Sequence, residues 1–225
     1  MAAVNPRPAR VGRPRAGGPS DSGLSPRDQV LAAAAELFTR DGYTATTTRA
    51  VAERAGLRQA SMYHYFARKE DILATLLEST VEPSLTLAER LLALPAADPA
   101  ARLWALAAAD ADLLHRGLYN LGALYQLPEV RGERFARFRR ARAELTAAYG
   151  ELLYLIEPGE PAAEHRLRTD LLLGLVEGGI AVIRDRSTHP ADRIGPAVAD
   201  AALRLAGCDR AAREAAAAAG RTLLP

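Results

Sequence analysis

Apolar residues recur along this chain at the three-to-four-residue spacing of helices, and no segment alternates with the period of a strand. A first helix is bracketed by its own punctuation. Ser25 serves as a cap, Pro26 takes the first helical position, and Asp28 completes a capping-box pattern. Val30, Ala34, Leu37 and Phe38 form its apolar stripe, and Asp41-Gly42 ends it. Residues 46 to 66 then predict two short helices around a tight turn. Thr47 caps the first, with Val51, Ala52 and Ala55 on its buried side, and Gly56 turns the chain. The second runs from Gln59 to Tyr65, with Met62 and Phe66 facing in. Neither helix is long enough to persist alone, so both must lean on the first. A long helix is expected from Lys69 into the nineties, kinked or split at Pro83. Further helices are expected near 99–116, 118–127, 129–156, 163–186 and 192–207. Pro128, the PGEP loop at 158–161 and Pro190 separate them. The Ala-rich end, from Asp209, predicts a loosely held helix.

Composition agrees with an all-helical globular chain: aromatic residues are sparse at 5%, and Ala, Leu and Arg dominate. The longest apolar run, LLLGLVEGGIAVI at 171–183, is too short to cross a bilayer and carries Glu177. The N-terminal residues lack the apolar stretch of a secretory signal. The single cysteine, Cys208, allows no intrachain disulfide, which fits a cytoplasmic location. Charge is uneven. Residues 1–75 hold 11 basic and 7 acidic side chains, net +4, and the remainder is net −2. The Pro-, Gly- and Arg-rich residues 1–22 predict a disordered basic tail. A basic end on a near-neutral body suggests a polyanionic partner there.

Once the core of residues 46–66 is assembled, polar groups are left over. Thr48, Arg49, Gln59, Ser61, Tyr63, His64 and Tyr65 lie on one protruding helix and at the start of its neighbour. A helix fits the DNA major groove, where base edges carry distinguishable donors and acceptors. Here the pattern becomes specific. Gly42-Tyr43, the threonines before Arg49, Ala52, Ala55-Gly56, the aromatic-rich stretch with Ser61, Tyr63 and Phe66, and Lys69-Glu70-Asp71 resemble the DNA-binding domain of the tetracycline-repressor (TetR) family. The resemblance covers residues 27–77. It implies an all-α protein with a three-helix helix-turn-helix domain at 23–70. A helical-bundle domain for ligand binding and dimerisation would follow at 71–208, with a C-terminal extension at 209–225.

By register, the resemblance implies that Arg49, Gln59, Ala60, Ser61 and His64 face base edges. Thr48, Tyr63, Tyr65 and Lys69, the chain's one lysine, would grip phosphates. The chain departs from the family pattern at Arg58 and Arg68, where capping Ser, Thr or Asn is frequent, and at Ala50, where an acid is common. In the tail, VGRPR at 11–15 is similar to the core of an AT-hook and suits either minor-groove insertion or a sequence-blind phosphate tether.

The same resemblance implies a homodimer through the last two long helices, a double-stranded operator, and a small-molecule effector. No cofactor, metal or membrane partner is expected. Gly174, Gly178 and Ala181/Val182 place small residues on one stripe, edged by Leu171 and Leu175, that suits a dimer seam or an intrachain contact. Candidate ligand-pocket residues are Trp104, Leu113, His115, Tyr119, Asn120, Leu124, Tyr125, Phe135, Phe138, Tyr149 and Glu177. Glu177 suits a pairing across the dimer, a cationic ligand, or solvent. RGERFARFRRAR, at 131–142, holds six arginines and predicts a solvated face. No hydrolase, P-loop or dinucleotide motif is present, and Asp110 and Asp112 sit on opposite sides of a helix, so an enzyme is not expected. The functional expectation is a sequence-specific transcriptional regulator, most simply a repressor released by its effector. An activator or ligand-independent regulator is the alternative, and a protein-binding scaffold a more distant one.

Overall fold

The computed structural model describes residues 23–116, 119–184 and 190–224, and among these every regular element is helical. The tail and its VGRPR segment lie outside the described residues. In α1 (Pro26–Arg40) the Ser25 hydroxyl accepts from the Asp28 N–H at 3.2 Å and donates to the Asp28 carboxylate at 2.7 Å. Gly42 follows the helix at φ +89°, a conformation costly for any residue with a Cβ. In α2 (Thr48–Arg54) Thr47 caps the Ala50 N–H at 3.1 Å.

The turn after α2 is a Schellman motif centred on Gly56 (φ +69°). The Leu57 N–H donates to Ala52 O at 2.9 Å, and the Gly56 N–H to Glu53 O at 3.1 Å. The following helix, α3 (Gln59–Met62), is a single turn, shorter than expected. Beyond it, Tyr65 N–H reaches back to Met62 O at 2.9 Å, tightening the chain into turns. Arg58 supplies no side-chain cap to α3. The segment is held instead by burial of Met62 and Phe66 with Val30, Phe38, Val51 and Ala52 in the core.

The helix α4 (Lys69–Leu92) runs unbroken for 24 residues with Pro83 inside it, neither stopped nor split. Pro83 is exposed, and the opposite face buries Thr80, Val81, Ser84 and Ala88, so packing on both sides of the proline offsets its missing N–H. Arg68 does not cap α4. Asp71 does so from within, accepting the Arg68 N–H at 3.0 Å.

At the centre lies α5 (Pro99–Arg116), whose Leu103, Trp104, Leu106 and Ala107 are buried. The expected helix at 118–127 is a 3-10 turn over Leu121–Gln126. The expected helix from 129 begins with 3-10 turns at Pro128–Arg131 and Glu133–Phe135 before α6 (Ala136–Ile156). Pro128 and Gly132 interrupt the α-helical ladder here. Then come α7 (Ala162–Arg184), α8 (Ile194–Leu205) and α9 (Arg210–Thr222). Gly195 lets α8 approach α5 closely: a Cβ there would lie 2.6 Å from Ala108 O.

The C-terminal helix corrects an expectation, because α9 is not loosely held. Ala216 is fully buried, and a Cβ on Gly220 would lie 2.7 Å from the Trp104 ring. Arg213 reaches Asp200 at 2.9 Å, and Arg90 donates to Leu223 O at 2.7 Å.

Candidate nucleic-acid interface and the polar core behind it

Three of the predicted DNA-facing side chains form one exposed cluster. Thr48 and Tyr63 share a hydrogen bond at 3.2 Å, and the Gln59 amide donates to Thr48 Oγ1 at 3.2 Å and to Tyr63 Oη at 3.4 Å. The cluster joins the start of α2 to α3, so the two helices present a common hydrogen-bonding edge. Around it Ala60 and His64 are exposed, Ser61 is half-exposed, and Tyr63 and Tyr65 show 46% and 44% of their surface. Large aromatic rings in water on a protruding edge are a marker of a contact surface.

Arg49 is exposed nearby, paired with Glu53 one turn on at 2.8 Å. Both ends of that pair are in water, so it is weak and easily exchanged for another partner.

Lys69, expected to grip a phosphate, is partly committed within the chain. Its ammonium donates to Tyr43 O at 2.8 Å and Thr46 O at 2.9 Å, and sits 4.2 Å from the Tyr43 ring centroid. Two of its three donors are committed to the loop between α1 and α2. The lysine thus ties the start of α4 to the helix-turn-helix. Sequence proximity gives no hint of this, because the partners lie 23 and 26 residues away.

Behind this edge, Glu36 of α1 gathers three chain segments. It accepts from Arg40 at 2.9 Å, Arg54 at 2.5 Å and the Tyr119 hydroxyl at 3.0 Å. Hydrogen bonding from Arg54 holds its carboxyl below the ordinary range. Tyr119, expected in a ligand pocket, instead links the 3-10 region to the head. Two further ties reach α4: Arg134 of the 3-10 region to Asp71 at 2.5 Å, and Arg137 at the start of α6 to Glu82 at 2.5 Å. The arginine run is therefore not a uniformly solvated face.

The interior of the larger half is polar at several points. Asp110 is buried on α5, accepting from Ser84 at 2.7 Å and Tyr149 at 2.9 Å, with no cation beside it among the described residues. Burial pushes its carboxyl up to about 6. Tyr149 is thus committed to Asp110, and burial together with that carboxylate holds its phenol well above the ordinary value. Tyr125 meets Thr80 at 2.5 Å. Since Thr80 donates its own proton to Leu77 O at 2.6 Å, Tyr125 is the donor.

Glu177 receives both ends of a fork from Arg142, at 2.7 Å each. The partner is intrachain, a role not among those expected of Glu177, which were a cross-dimer pairing, a cationic ligand or solvent. The other pocket candidates divide. Tyr125 and Phe138, 5.1 Å apart by centroid, line a cavity of about 300 Å³. Leu113 lines a cleft of about 560 Å³ between α4, α5 and Leu224. Trp104 is covered by α9, Asn120 caps the Ala123 N–H at 3.2 Å, and Leu124 and Phe135 are core. The His115 side chain lies outside the described residues.

Residues 30–76 match the pattern of the bacterial regulatory proteins of the tetR family. Mycobacterium smegmatis AmtR is 43% identical and superposes with a TM-score of 0.81, over 92% of this chain and 99% of that one. The chain belongs to the TetR family of bacterial regulatory proteins. Among curated TetR-type relatives, the HTH-type transcriptional repressor KstR2 of Mycobacterium tuberculosis (strain ATCC 25618 / H37Rv) is 40% identical over 58 residues. That match takes in 26% of this chain and spans only 29% of KstR2. AibR, solved in complex with isovaleryl coenzyme A and operator DNA, shares the fold with a TM-score of 0.63 at 17% identity, over 79% of this chain and 97% of that one.

Proposed function

We propose that this TetR-family chain is a homodimeric transcriptional repressor that leaves a palindromic operator when a small molecule binds its helical half. The observation that carries the DNA-binding reading is the Thr48–Gln59–Tyr63 cluster, an exposed hydrogen-bonding edge with Arg49, Ser61, His64 and Tyr65 around it. Hydroxyls and the start of α2 suit phosphates, while the amide, imidazole and guanidinium suit base edges. In this reading Lys69 supports the head and does not carry the phosphate contact.

Dimerisation is supported by α7. Leu167 and Leu171 expose 60% and 54% of their surface, and a Cβ on Gly174 or Gly178 would meet no atom within 4 Å. Tyr154 and Leu155, at the end of α6, add further exposed apolar surface. An apolar stripe edged by small residues gives a second copy close access. Ala181 and Val182, also assigned to the seam, have side chains outside the described residues.

Selection of bound duplexes from a random pool tests the function. The full chain should enrich an inverted repeat with half-sites about one helical turn apart. The Thr48→Ala/Gln59→Ala/Tyr63→Phe variant should lose that enrichment. Equal retention by both proteins sinks the assignment of this edge. Light scattering tests the dimer: Leu167→Glu/Leu171→Glu should run as a monomer, and an unchanged dimer would place the seam elsewhere.

A further inference from the structure

The six arginines of 131–142 separate into two groups. Arg134 and Arg137 reach acids on α4, and Arg140 is on the outer surface. Arg131, Arg139 and Arg142 line the cavity of about 300 Å³ between the 3-10 region and α6, together with Tyr125, Gln126 and Phe138. That volume is at the small end of the roughly 300–1,000 Å³ range for ligand pockets.

The charge in this lining does not balance. Arg142 is neutralised by Glu177, through two of its three nitrogens. Arg139 spends one terminal nitrogen on Val130 O at 2.7 Å and Gly132 O at 2.6 Å, both neutral acceptors. The Arg131 side chain makes no hydrogen bond or ion pair to the described residues and is exposed at the rim. Three guanidiniums thus face one carboxylate, and among the described residues no acidic side chain is in the lining. Guanidinium forks suit carboxylates, and the Tyr125 and Phe138 rings offer an apolar wall beside them.

We propose that this cavity binds a small organic carboxylate with an apolar body, and that this anion is the effector of the DNA response. The proposal rests on the repressor reading for its second half only. Its route to the head is short. The 3-10 turn that carries Tyr125 is preceded by Tyr119, six residues earlier, whose hydroxyl holds Glu36 and so meets Arg54 at the end of α2. Tyr125 also donates to Thr80 of α4. An anion drawing Arg131 and Arg139 inward pulls on the same segment that braces the head.

The test uses sodium benzoate as probe, titrated calorimetrically into the full chain at constant ionic strength, with benzamide as the neutral isostere. Benzoate should bind saturably at millimolar concentration or tighter, and benzamide at least tenfold more weakly. Arg131→Gln/Arg139→Gln should lose at least tenfold, and Arg140→Gln should keep wild-type affinity. Because Arg139 also holds two loop carbonyls, the single Arg131→Gln variant, which breaks no described bond, should lose at least threefold. No binding by the wild type, or equal binding by these variants, overturns the site. In parallel, saturating benzoate should lower affinity for a selected duplex at least fivefold in the wild type and not in the double variant. Arginine-dependent binding without that loss overturns the effector role. A chain that retains no duplex at all defeats the repressor reading while the calorimetry still decides the cavity.

Discussion

Asp110 allows a prediction with a worked magnitude. Its carboxyl sits in the core between Ser84 and Tyr149, and burial raises it from 3.8 to about 6. Between those two values the folded chain holds one proton more than the unfolded chain. Stability contributed by this group therefore falls as pH rises through the window and is level on either side. The full effect is roughly two pH units at about 1.36 kcal/mol each, on the order of 3 kcal/mol, of which about 2 kcal/mol falls between pH 4.5 and 7. Asp110→Asn removes the ionisation and keeps the shape. The amide oxygen accepts from Tyr149, and the amide nitrogen donates to Ser84 once that hydroxyl rotates. The assay is urea unfolding of wild type and variant at matched protomer concentration across pH 4.5 to 7.5. Other carboxylates, such as Glu36 and Asp200, whose carboxyls are held low by arginines, cancel in the difference. The variant should gain about 2 kcal/mol on the wild type from pH 4.5 to 7. A difference flat to within about 0.5 kcal/mol would refute an ionised, unpaired carboxylate in this core.

Lys69→Met should cost roughly 1–3 kcal/mol in denaturant unfolding, because Tyr43 O and Thr46 O lose a charged donor. The salt dependence of duplex binding should hardly change, whereas a slope smaller by about one would restore the phosphate contact. Gly220→Ala and Gly195→Ala should each cost roughly 1–3 kcal/mol, since their Cβ atoms would meet Ala101 O at 2.8 Å and Ala108 O at 2.6 Å. The first should also shift the fluorescence of Trp104, and unchanged emission would mean α9 is not seated there. Arg49→Ala should weaken a selected duplex roughly tenfold or more, and Glu53→Gln should leave affinity unchanged or slightly higher. A large loss with Glu53→Gln, measured by fluorescence anisotropy, would show that the ion pair itself is needed.

The sequence by itself determined the elements whose causes are local. Ser25, Thr47 and Gly56 act on backbone groups a few residues away, and the periodicity of Val30 to Phe38 is a property of one helix, so the head and its family pattern were legible without coordinates. Tertiary structure decided wherever a partner comes from far along the chain. Pro83 should break a helix on local grounds, but burial of Thr80, Ser84 and Ala88 keeps α4 whole. The Ala-rich end looks weak alone and is secured by the fit of Gly220 on Trp104. Lys69, Glu36, Glu177 and Asp110 are each a single charged letter whose role depends on which group meets it across 23 to 83 residues of chain. Spacing carries no record of such pairs, because charge is screened in the open chain and acquires a definite partner only when packing removes water and fixes the distance.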